Sequence, residues 1–193
     1  MVEADDQQLD ELKTKRGDHV VKANYLNVIE LGRCALDTTV GEPDIPAALR
    51  DESTSNMRLR IVQFEGPVRP EWLEELKALG DVTVVQYIPN NAFLVWLDAG
   101  AEENLFSLRT PMGPVQWVSA YHPYYKIDST LLQSSTAVEV RVAVVNGPTA
   151  DDTIKIIQSY DPNSTYEPRT MGAQTVVQLT ANGSSLSDVA KLP

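Results

Sequence analysis

The chain has 193 residues, room for one or two domains, and its 42% hydrophobic, 22% charged and 7% aromatic content is ordinary for a globular protein. A formal net charge of −11 with no cluster of Lys and Arg argues against a nucleic-acid partner. No apolar run approaches the roughly 18 residues of a membrane helix, and the acidic start MVEADDQQLDELK has no apolar signal core.

Residues 1–56 carry 12 Asp and Glu against 6 Lys and Arg. Asp5 to Lys15 reads as a short helix, with acids early and lysines late as the macrodipole favours. Only Leu9 and Leu12 are apolar in it, so it has little to bury. Asn24 to Ile29 reads as a strand, and Ile45 to Arg50 as one helical turn with Pro46 early. Asp51 to Asn56 is a polar linker. The whole stretch is expected to be an acidic irregular arm, partly disordered, lying on the first domain.

Leu59 to Phe64 alternates and is β-rich, a strand ended by Gly66-Pro67. Pro70 opens a helix that Gly80 closes, with Trp72, Leu73, Leu76 and Leu79 on its buried face. Val82 to Tyr87 and Ala92 to Leu97 form a hairpin across Pro89-Asn90-Asn91, where proline fixes φ and asparagine tolerates positive φ. Glu102 to Leu108 is a short helix. Pro111 to Pro114 breaks the chain, and Val115 to Val118 is a fourth strand. The order βαββαβ is the split βαβ of ferredoxin-like domains.

The same order begins again at residue 137. Aligning Gly66-Pro67 with Gly147-Pro148 sets an offset of 147 − 66 = 81 residues. It places Arg60 on Arg141, Leu73 on Ile154, Leu76 on Ile157 and Leu105 on Leu186. Val138 to Val145 is the first strand of the second copy. Thr149 caps a helix running to Tyr160, with Asp152 completing an approximate capping box. Asn163 to Glu167 and Gln174 to Leu179 are strands, and Ser185 to Lys191 is a helix. The fourth strand would fall near 198, so the second copy lacks it and the chain reads as part of a longer polypeptide. The expected fold class is α+β: two tandem ferredoxin-like βαββαβ modules at 57–119 and 137–193, each an antiparallel sheet with two helices on one face, the second without its last strand. A linker, 120–136, joins them.

Strand alternation places Val138, Val140, Val142 and Val144 toward the helices of the second copy. At the same offset, Arg60, Val62 and Phe64 share the opposite, uncovered face with Arg141, Ala143 and Val145. The third strand of the first copy is apolar on both sides, with Phe93, Val95 and Leu97 on one and Leu94 and Trp96 on the other. A sheet apolar on both faces needs a cover. The other copy, the arm and a partner are all open as that cover.

Three runs carry a resemblance: VQFEGPVRPEWLEEL (62–76), YIPNNAFLVWL (87–97) and VQWVSAYHPYYKI (115–127). They resemble the N-terminal prosequence of secreted bacterial subtilisin-like serine proteases, and LDTTVGEPDIPAALR (36–50) is similar to the segment preceding the first prodomain there. The likeness covers roughly residues 35–193, more loosely in the second copy, and Ser119 departs from a common glycine. It implies a propeptide that acts as intramolecular chaperone and temporary autoinhibitor of a subtilisin-like catalytic domain in cis, docking through the open sheet face. It also implies secretion, with no membrane partner. The chain itself is then no enzyme, and no catalytic, cofactor-binding or metal-binding residue is assigned. Arg141, Ala143, Val145, Val62, Phe64 and Trp96 are the candidate partner-binding residues. The competing readings are a ferredoxin-like regulatory or dimerisation module that binds a small ligand, and an acylphosphatase-like hydrolase. The latter needs an anion-cradling loop that Glu65-Gly66-Pro67 does not offer.

The remaining chemistry-bearing residues read as structural. Cys34, the one cysteine, excludes an intrachain disulfide and a zinc ribbon, and is taken as a packed thiol. His122 has no metal or triad spacing around it and is expected to pack in the linker. Glu74-Glu75 and Glu102-Glu103 are expected to sit solvated on outer helix faces rather than as acid/base pairs. Asn163-Ser164-Thr165 and Asn182-Gly183-Ser184 match the glycosylation triplet, a pattern common by chance.

Overall fold

The structure is a computed structural model that describes residues 5–20, 23–52, 56–110 and 113–192. Residues 1–4, 21–22 and 53–55 of the expected arm, and Pro111-Met112 of the expected chain break, lie outside the described residues. The chain forms an α+β assembly of antiparallel sheets.

The acidic N-terminal segment forms helix α1 (Asp6–Arg16), closed by a capping box in which Asp5 accepts from the Gln8 N–H and Gln8 reaches back. It buries no residue. The strand expected over Asn24 to Ile29 is instead a 3₁₀ turn (Asn24–Asn27) followed by a two-stranded hairpin, β1 (Val28–Leu31) and β2 (Cys34–Asp37). The hairpin has little sequence signal because each strand is only four residues long and carries charges on its outer side. Another 3₁₀ turn, Ala47–Leu49, follows Pro46.

The first large sheet holds β3 (Met57–Phe64), β4 (Val82–Ile88), β5 (Ala92–Asp98) and β6 (Val115–Ala120) in the order β4-β5-β3-β6, all antiparallel. Helices α2 (Pro70–Lys77) and α3 (Ala99–Ser107) are its crossovers. Helix α3 starts three residues before the expected Glu102, because Asp98 caps it by accepting from the Ala101 N–H at 2.7 Å. The turn between β4 and β5 holds Asn90 and Asn91 at φ of 69° and 65°, as the asparagines allow.

Two cores flank this sheet. On the helix side Val62, Phe64, Val95 and Leu97 meet Leu76, Leu105 and Val115. On the other side Ile61, Leu94 and Trp117 meet Ile29, Leu31, Leu36 and Ile45 of the N-terminal segment and Tyr125 beyond β6. The cover of the sheet's second face is therefore the chain's own N-terminal segment together with the residues just beyond β6. Gln63, fully buried, locks it in place: its amide donates to the Leu26 and Asn90 carbonyls at 2.9 and 3.0 Å and accepts from the Thr38 hydroxyl at 2.7 Å.

Short helices α4 (Pro123–Lys126) and α5 (Ser129–Leu132) lead to the second sheet. It contains β7 (Val138–Val145), β8 (Arg169–Met171) and β9 (Gln174–Ala181) in the order β7-β9-β8. Helices α6 (Ala150–Ser159) and α7 (Gly183–Ala190) cover one face. The order repeats that of β3, β5 and β4. The strand expected over Asn163 to Glu167 does not form; β8 lies just beyond Pro168, where the two-residue Gly172-Ala173 turn sets its pairing with β9. Thr149 makes no side-chain cap to α6, in contrast to the expected capping box.

Candidate partner-binding groove

The repeat is real in strand order but shifted in register. Gln63 pairs with Ala92 in the first sheet, and Val145 with Gln174 in the second. The strands therefore correspond at 145 − 63 = 82, whereas the buried helix residues Leu76 and Ile157 correspond at 157 − 76 = 81. A slip of one residue turns every side chain of a strand to the opposite face. Arg60, Val62 and Phe64 therefore point toward the helices, not to the uncovered face that the Gly-Pro alignment assigns them. Val62 and Phe64 are 0% and 1% exposed, and Phe64 stacks on Trp72 with ring centroids 5.9 Å apart. They present no surface to a partner.

Trp96 faces the other way and is also buried, at 3% exposure. A Cβ on Gly147, in the turn after β7, would sit 3.2 Å from its Nε1, so the indole lies where the two halves of the chain meet. That Nε1 has no hydrogen-bond partner among the described residues. Of the six candidates only Arg141 and Ala143 are exposed; Val145, at the end of the same strand, is buried. The outer face of the second sheet carries Glu139, Arg141 and Ala143 on β7 beside Thr180, Gln178 and Val176 on β9, mostly polar as a solvated antiparallel face should be.

Arg141, Ala143 and Val145 also line a groove of about 350 Å³ between the two halves. Leu59, Gln86, Leu94 and Tyr121 wall it on the side of the first sheet. Ile157 of α6 and Leu186, Val189 and Ala190 of α7 line its apolar part, with Ile127 and Leu131 from the bridge between the sheets. Its charged lining is Lys126, Asp128 and Arg141. The Lys126 ammonium donates to the Leu192 carbonyl at 2.8 Å, and burial pushes its pKa down to about 8, with Asp51 partly opposing the shift. Lys126 and Ile127 carried no signal as site residues; they follow a tyrosine-rich run with no periodicity.

The other polar side chains that sequence alone leaves open are spent on structure. His122 is buried, its Nδ1 accepts the Asp51 N–H at 2.8 Å, and its Nε2 lies 3.2 Å from Glu42 Oε1. Glu42 also accepts from the Ser119 hydroxyl. Glu102 is buried rather than solvated: it takes Arg60 Nε at 2.5 Å and Arg58 at 2.7 Å. Glu74, Glu75 and Glu103 are exposed as expected. Cys34 is half-buried, and burial raises its thiol pKa. Among the described residues no three His, Cys, Asp or Glu side chains gather as a metal-ligand set, and no helix is long and apolar enough to cross a membrane. Strand β7 is an edge strand among the described residues, so the groove offers a sheet edge, apolar lining and two cations, an equipment for binding.

The profile of a family described as a domain of unknown function (DUF8729) matches residues 26–122, 97 of the 193. The match runs from the segment that covers the first sheet to the end of that sheet's last strand. No curated protein and no solved structure matches the chain.

Proposed function

The chain belongs to the family described as a domain of unknown function (DUF8729), and from that premise we propose that it is a non-catalytic, partner-binding prosequence of the subtilisin-like protease type. In this reading two tandem ferredoxin-like modules assist folding of a secreted catalytic domain. They then inhibit that domain until they are removed. The resemblance in residues 62–76, 87–97 and 115–127 supports the reading, as does the strand order β4-β5-β3-β6 with both crossover helices on one face.

The observation that carries it is the unequal fate of the two outer sheet faces. The first is closed by the chain's own N-terminal segment; the second is exposed along Glu139, Arg141 and Ala143. Docking therefore belongs to the second sheet, through Arg141 and Ala143 with Val176 and Gln178 beside them, and not through Val62, Phe64 or Trp96. A small, locally connected unit of this kind can template a larger domain whose own topology folds slowly.

The test is an inhibition assay in trans against the mature catalytic domain encoded by the same gene. Slow, tight inhibition is expected, weakened at least tenfold by Ala143→Arg on the docking face. Full protease activity at saturating chain, or a gene encoding no such domain, would overturn the reading.

A further inference from the structure

Strand β7 is paired on one side only. The Asn146 N–H donates to the Ala173 carbonyl at 2.8 Å, and in an antiparallel ladder alternate residues turn to alternate neighbours. The even-numbered residues of β7 therefore bond β9, and the main-chain groups of Glu139, Arg141, Ala143 and Val145 point to the free edge. Among the described residues no strand pairs that edge.

The first sheet holds the corresponding edge occupied. At the strand offset of 82, Leu59, Ile61 and Gln63 stand for Arg141, Ala143 and Val145. On β3 this is the edge that takes β6: the Tyr121 N–H donates to the Leu59 carbonyl at 3.1 Å, and the Glu65 N–H to the Pro114 carbonyl at 3.0 Å. Val115 and Val118 of β6 fill the layer between sheet and helices. In the second half that place is the groove, with Val144, Ile157, Leu186 and Val189 lining it. Leu59, Gln86, Leu94 and Tyr121 form the opposite wall of the groove. Two cations against one acid make the lining net positive in a chain of formal charge −11. That favours an occupant with a carboxylate.

We infer that the groove is a strand-addition site that takes one extended peptide, antiparallel to β7, with apolar side chains alternating toward α6 and α7 and a carboxylate near Lys126 and Arg141. Main-chain pairing supplies the affinity and the alternate pockets supply the selection, as in other edge-binding modules. The inference needs neither the protease nor the exposed sheet face, so its failure leaves the proposed function standing, and the reverse holds.

The probe is an N-acetylated octapeptide with the sequence of residues 114–121, PVQWVSAY, and a free C-terminal carboxylate, added to the 193-residue chain. Amide hydrogen exchange followed by NMR is the readout. Binding should slow exchange at Arg141 and Ala143 at least tenfold and leave the amides of β3 unchanged. N-methylation at the Trp and Ser positions of the peptide should abolish the effect, because it removes ladder donors and keeps the side chains. C-terminal amidation should weaken binding at least threefold. Ala143→Pro removes a donor that faces the free edge and not the β9 ladder, so it should abolish binding with the circular dichroism unchanged. If that variant does not fold, the N-methylated peptide carries the same test. Unchanged exchange at Arg141 and Ala143 at millimolar peptide, changes confined to β3, or equal binding of the N-methylated peptide would each overturn strand addition. Equal binding of the amidated peptide would overturn the carboxylate preference.

Discussion

Glu102 shows how a single residue escapes pattern reading. In sequence it is one of two adjacent acids on a short amphipathic helix, the usual mark of a solvated face. The cap at Asp98 starts α3 early and turns Glu102 inward, while Glu103 stays outside. There it meets Arg60 and Arg58, which β3 directs to the helix side; Arg60 also pairs with Asp51 at 3.1 Å. A buried ion pair is weak evidence of net stability, yet removing one partner strands the other charge. Glu102→Ala should cost about 3 kcal/mol in urea unfolding by leaving Arg60 buried without its main partner. The double variant Glu102→Leu with Arg60→Met should recover much of that loss. A cost within about 0.5 kcal/mol, the range of ordinary surface substitutions, would show that the network contributes little.

At the scale of elements, the close crossing of α5 and α7 rests on Gly183. A Cβ there would lie 2.4 Å from the Leu132 carbonyl oxygen and 2.7 Å from that of Leu131, both backbone atoms that cannot rotate away. The Gly183 N–H also donates to the Ser134 carbonyl at 2.9 Å. Gly183→Ala should therefore destabilise the second sheet's unit by about 1–3 kcal/mol, the cost of overpacking, despite the better helix propensity of alanine. Ser184→Ala, on the exposed side of the same turn, should change stability by less than about 0.5 kcal/mol. A thermal melt of both variants decides it, and equal midpoints would refute the crowding argument. Asn182 is here a helix cap, accepting from the Ser185 N–H at 3.1 Å, so its glycosylation triplet has a local structural use. The elements legible in sequence were those with long alternation or a clear opening residue, such as β3, β5, β7 and α2. The β1–β2 hairpin was not, because it forms by covering a distant apolar face and not by local preference.

For the molecule as a whole, the bridge between the sheets carries an ionisable tie. Lys126 at the end of α4 donates to the Leu192 carbonyl beyond α7, and burial lowers its pKa from 10.5 to about 8. The unfolded chain keeps that proton up to about pH 10.4. Between about pH 8 and 10 the unfolded state therefore binds more protons, and stability rises with pH. Below about pH 8 the amine is charged in both states and this dependence disappears. Lys126→Met should remove the rise, leaving a difference in urea midpoint between the two proteins that changes across pH 8–10. The tyrosines titrate in both proteins and cancel; a pH-independent difference would contradict the buried amine.

The residues alone determined the α+β class, the repeated strand–helix order and most strand positions in both halves, because alternation and turn chemistry are local. They also marked a sheet apolar on both faces as one that needs a cover. Only the tertiary structure decided which segment supplies it, since Gln63, Leu26, Thr38 and Asn90 meet across long sequence separations. It alone decided the strand register as well. One residue separates the offsets of strand and helix, and sequence alignment on Gly66 and Gly147 cannot resolve it. That single residue sends Val62 and Phe64 into the core and leaves Arg141 and Ala143 at the surface, because in a strand the side-chain period is two.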